Sequence, residues 1–170
     1  MFSSKMIRKL INLGPLILLY YLSISEIDSH FENYFEILSF NIQLIIIYFW
    51  SLKKPEALGG GHVFFAGLIN DVVMGIPLGL SSLSYLVVSL VATYIKNMTV
   101  NTRITTDWFT FFVAIFFSNL SFFILLNKFS DVAINVTEMS YNTFFTLLFF
   151  PFFWFLFTYY NSIMVIKKHA

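Results

Sequence analysis

From His62 to Ile95 the chain carries a single acid, Asp71, and no base. As one helix that run would be about 50 Å long, well over a bilayer core of roughly 30 Å. Gly75-Ile76-Pro77-Leu78-Gly79 interrupts it near the middle, and glycine together with proline is the strongest local break a sequence offers. The run therefore predicts a tight hairpin of two short membrane spans. The rest of the chain has the same character, with 58% apolar and only 11% charged residues and a mean hydropathy of +0.80. Water-soluble domains carry about 25% charge, so a soluble enzyme and a nucleic-acid-binding domain are excluded. A net charge of +1 gives no field to gather phosphates or acidic substrates. With no cysteine, thiolate chemistry, cysteine-held zinc and disulfides are excluded too.

Six spans are expected, at about residues 10–25, 37–52, 62–76, 80–95, 108–126 and 144–166, in a single transmembrane domain covering 1–170. Lysine and arginine set their direction. With the N-terminus inside, Lys5, Arg8, Lys9, Lys53, Lys54, Lys96, Arg103, Lys167 and Lys168 all fall on the inner side, and Lys128 alone falls outside. That sorting requires the hairpin at Gly75 to Gly79; one long third span would put Lys96 and Arg103 on the wrong side. The expected fold is thus an all-α integral membrane six-helix bundle with cytoplasmic N- and C-termini. All connections are short, so any activity lies within the bundle or on its rims.

Asp71 is the one charge deep in an apolar stretch, and an acid at that depth is costly unless paired, hydrated or neutral. Two roles fit it: a hydrogen-bond anchor between helices, or an ion, proton or ligand site. Gly67, Asp71 and Gly75 recur at four-residue spacing and share a helix face, with Gly79 next in the series. Small residues so spaced let two membrane helices approach closely, which makes this a packing face with a polar pin. Asn119 in the fifth span and Ser89 in the fourth lie at similar depth and are the expected partners of Asp71. On the outer side, Glu26, Asp28, His30, Glu32 and Glu36 alternate with Ile27, Phe31, Phe35 and Leu38. The pattern is that of an amphipathic segment at the interface, suited to partner docking through Glu26, Asp28, Phe31, Glu32 and Phe35, with a cation site as the alternative. The inner stretch from Lys53 to His62 is glycine-rich but lacks the lysine-serine/threonine ending of a phosphate loop, and reads as a flexible entry to the third span. No nucleophile constellation, metal-ligand motif or cofactor motif is visible, and no enzymatic activity is expected.

The stretch from Phe65 to Leu80, with Gly67, Leu68, Asp71, Gly75, Pro77, Leu78 and Gly79 in it and Tyr85 beyond, resembles the signature of the MreD family of bacterial rod-shape-determining membrane proteins. The family's G-L-x-x-D-x-x-x-G-x-x-L-G pattern is complete here. Pro151 early in the last span and the basic Lys167-Lys168 terminus are similar as well. The resemblance implies a non-enzymatic scaffold in the bacterial cytoplasmic membrane, part of the cell-elongation complex. Its implied partners are MreC, the MreB filament, the glycosyltransferase RodA and a class B transpeptidase.

Two other functions compete. One is the vitamin-type small-molecule binding subunit of an energy-coupling-factor uptake transporter, whose six-helix membrane fold resembles that of the MreD family. Such a subunit holds its ligand in a wide polar cavity open to the outside. The other is a proton-coupled carrier working through Asp71, for which Asp71→Asn should abolish function; in a scaffold Asp71→Asn should be tolerated far better than Asp71→Leu.

Overall fold

The computed structural model describes residues 4–25, 41–98, 103–129 and 136–169, and all their regular structure is helical. Six helices follow one another: α1 (Ser4–Ile24), α2 (Ile42–Lys53), α3 (Pro55–Met74), α4 (Leu80–Met98), α5 (Ile104–Phe129) and α6 (Val136–His169). The segment holding Glu26, Asp28, Phe31, Glu32 and Phe35 lies outside the described residues.

The helix ends follow from local chemistry. Asn41 starts α2 as a side-chain cap, its Oδ1 accepting the Leu44 N–H at 3.1 Å. Pro55 starts α3, where its fixed φ suits the first helical position and its missing N–H costs nothing. Glu56 follows in the first turn, favourably placed at the positive end of the helix dipole. The flexible entry expected from Lys53 to His62 is therefore corrected: α3 already runs through it, broken only by a left-handed step at Gly59 (φ 62°). The fifth and sixth helices also begin earlier than the expected spans, at Ile104 and Val136. Threonine, aspartate and serine in those extra turns lower hydropathy without breaking a helix.

Three helices, α3, α5 and α6, are long and apolar enough to cross a membrane. α2, at 12 residues, is shorter. It is instead the hub, touching every other helix, with the unbroken run Leu44 to Leu52 buried all round. Around it α5 and α6 contribute an aromatic seam in which Phe111 stacks on Phe150 at 4.4 Å and Tyr48 meets both rings. Conversely Phe109, Phe116, Phe144, Phe152 and Phe155 are left exposed on the outside of α5 and α6. An apolar surface of that extent is stable in lipid and not in water.

Successive helices reverse direction, so the bundle has two chemically distinct ends. Lys53, Lys54, Lys96 and Arg103 gather at one, where α2 and α4 finish and α3 and α5 start. At the other lie the α3–α4 turn, the start of α2 and the start of α6.

Candidate functional site

The signature residues build the α3–α4 hairpin, each for a different reason. Gly67 sits against the first turn of α4: a Cβ there would lie 2.5 Å from Ser82 N and 2.9 Å from Ser81 C, so only glycine allows the approach. Gly75 ends α3 in the left-handed region at φ 64°, ψ 25°. Its N–H reaches Val72 O at 3.3 Å and the Ile76 N–H reaches Asp71 O at 3.1 Å, closing the last carbonyls of the helix. Gly79 precedes α4 at φ 101°, a conformation that side-chain-bearing residues avoid. Pro77 accepts the Leu80 N–H at 3.4 Å and closes the turn.

Asp71 is fully buried at the centre of this hairpin. One carboxylate oxygen accepts the Gly79 N–H at 2.7 Å and the other accepts the Ser81 N–H at 2.8 Å. These are backbone donors of the first turn of α4, groups that have no partner within their own helix. Asp71 is thus an N-cap supplied across space by the preceding helix, combining the hydrogen bonds of a cap with an acid at the positive end of a dipole.

The expected partners of Asp71 are corrected accordingly. Asn119 donates instead to Thr143 on α6 at 2.6 Å, and Ser89 pairs with Ser51 on α2 at 3.0 Å. Neither meets Asp71, because backbone N–H groups lie closer to it than any side chain of matching depth. Leu78 is corrected as a packing residue: it is 70% exposed at the turn. Leu68 is half-buried on α3.

Beside the hairpin runs a polar chain that spacing did not single out. Gln43 donates to Asn70 at 3.3 Å, Asn70 donates to Ser81 at 3.1 Å, and the Tyr85 hydroxyl donates to Gln43. It ties α2 to both arms of the hairpin. The signals available were separate ones, Asn70 beside Asp71 and the Gln43 amide near the outer end of the second span, and nothing in the sequence joined them. A cavity of about 200 Å³ opens next to this chain, walled by Asn41, Asn70, Ser84, Tyr85, Ser118 and Asn119 among others.

A second buried charge lies at the basic end. Asp107, fully buried in the first turn of α5, takes Lys53 Nζ on Oδ2 at 2.9 Å. The same oxygen accepts the Trp154 indole N–H at 2.9 Å, and Lys53 lies 5.6 Å from the Trp154 ring. The cluster joins α2, α5 and α6. The sequence puts Lys53 on the inner side and Asp107 just before the expected fifth span, and nothing in their spacing reveals that the chain brings them together.

A family model for rod shape-determining protein MreD matches residues 7–161 of the 170-residue chain. The chain belongs to the MreD family. Its place is therefore among the components that determine rod shape. No curated protein and no solved structure matches it. In this MreD-family chain the signature glycines and Asp71 all act on backbone geometry within one hairpin. Their chemistry is that of a built turn, with both carboxylate oxygens already occupied.

Proposed function

We propose that this chain is a non-enzymatic scaffold of the bacterial cell-elongation complex. It crosses the cytoplasmic membrane six times with both termini inside, and couples MreC and the MreB filament to RodA and its class B transpeptidase. The observation that carries this reading is the engagement of Asp71: both its oxygens hold the start of α4, so the only deep acid of the family signature serves shape. The basic end of the bundle, with Lys54, Lys96 and Arg103, supports an inward orientation by the positive-inside rule. Partner contacts then fall to the rims and the exposed faces of α5 and α6. Depletion of the protein should turn rods into round cells, and MreC should co-purify with it; normal rods after depletion overturn the reading.

The vitamin-binding alternative finds its one support in the cavity beside Asn70. Small-molecule pockets usually measure roughly 300–1,000 Å³. At about 200 Å³ this cavity is small for a vitamin, which favours the scaffold. The proton-carrier alternative is disfavoured because Asp71 faces two N–H donors and no water path is needed to satisfy it.

A further inference from the structure

The cavity beside the hairpin has features that helix packing alone does not require. It opens at the bundle end opposite the lysines, bordered by α2, α4, α5, α6 and the end of α3, and among the described residues its wall contains no charged side chain. Four amides, Asn41, Asn70, Asn119 and Asn142, stand around it, with Ser81, Ser84 and Ser118 between them. Polar groups are placed sparingly inside a membrane bundle, because each must be satisfied there.

Several of these side chains are fixed by hydrogen bonds within the protein. Ser118 donates to Ser84 O at 3.1 Å, Asn119 uses its Nδ2 on Thr143, and Asn41 uses its Oδ1 on Leu44. What remains to Asn119 is an amide oxygen, and to Asn41 an amide N–H2. An amide pair of this kind offers acceptor and donor together, the combination a hydroxyl needs, since a hydroxyl both donates and accepts. Tyr85 and Phe122 add ring surface, against which the C–H face of a polyol packs. A charged group would enter without a counter-ion at a cost of several kcal/mol, so anions and cations are disfavoured. At about 200 Å³ the cavity has room for a group of about one sugar ring.

We propose that this cavity binds an uncharged polyhydroxyl group of about one hexose ring. The bundle-end position allows two sources, the headgroup of a neutral glycolipid or a free sugar. The site is independent of the scaffold role: cells can need the protein for shape whether or not the cavity is filled.

The test uses the full chain in phosphatidylcholine nanodiscs, avoiding sugar detergents, with thermal unfolding followed by tryptophan fluorescence. Monoglucosyl diacylglycerol in the disc or methyl glucoside in solution should raise Tm by about 5 °C or more, as expected for a ligand near a hundred times its Kd. A rise with the glycolipid alone assigns the source to the membrane; a rise with both assigns it to the sugar itself. Diacylglycerol and phosphatidylglycerol should leave Tm unchanged. Ile76→Trp, which fills the cavity from the turn without removing a hydrogen bond, should abolish the shift. Asn119→Asp, nearly isosteric but charged, should weaken binding at least tenfold. No shift with either glucoside, or an equal shift with diacylglycerol or phosphatidylglycerol, overturns the proposal. So does full retention of the shift in both variants.

Discussion

Replacing Asp71 by Asn separates a built turn from a titrating site. The two groups facing Asp71 are both backbone N–H donors, at 2.7 and 2.8 Å. The carboxamide keeps one acceptor and turns its N–H2 towards a second N–H, so one bond is lost and two donors are set against each other. A hydrogen bond to a charged group contributes about 1.5–3 kcal/mol, whereas polar pairs in membrane bundles average nearer 0.6 kcal/mol. Taking the middle of that range, Asp71→Asn should cost about 2 kcal/mol, a roughly thirtyfold shift in the unfolding equilibrium. Asp71→Leu loses both acceptors and should cost about 4 kcal/mol. The sequence-level expectation that asparagine would be well tolerated is thereby sharpened: it should be milder than leucine and still plainly destabilising. The assay is reversible unfolding in micelles, with complementation of cell shape measured on the same variants. An Asp71→Asn protein as stable as the parent would refute the cap. If that stable variant also failed to support rod shape, the acid would instead be acting through its proton.

Five further outcomes are expected. Gly67→Ala forces a Cβ against the backbone of Ser81 and Ser82, and the overpacking should cost about 1–3 kcal/mol, read as a lowered unfolding midpoint. Gly75→Ala and Gly79→Ala meet no atom within 4 Å and should lose only the conformational strain, about 1–2 kcal/mol each. Gly75→Asn, which tolerates φ 64°, should be milder than Gly75→Ala in the same assay. Lys53→Met strands the buried Asp107 carboxylate and should destabilise by about 3 kcal/mol, and pairing it with Asp107→Leu should recover much of that loss. Single cysteines at Lys54 and Lys96 should react with a membrane-impermeant thiol reagent only in opened cells; labelling of Lys96→Cys in intact cells would invert the topology.

Much of the architecture was legible because it depends on one-dimensional quantities. Hydropathy and length locate α4 and α5 to within a few residues, and the Gly75 to Gly79 break locates the hairpin. Helix starts were less legible. α3 begins at Pro55 and not at His62, since a proline-glutamate start overrides a glycine run that looks like a loop. Within the site, the four-residue spacing held only in part: Gly67 and Asp71 are buried against the start of α4, whereas Gly75 and Gly79 face open space and serve the turn. The partners of Asp71 were misread because depth was matched between side chains. The donors that won are main-chain groups at a helix start, which every sequence possesses and none advertises.

The sequence by itself determined a lipid-borne helical protein, the position of its hairpin and the sorting of its lysines and arginines, because burial in a bilayer depends on composition and period. Tertiary structure decided which groups meet. It turned Asp71 from a suspected site into a cap, paired Lys53 with Asp107, and gathered asparagines from four elements around one cavity. Those contacts join residues far apart in the chain, and a hydrogen bond depends on distance and direction in space, which spacing along one helix does not encode.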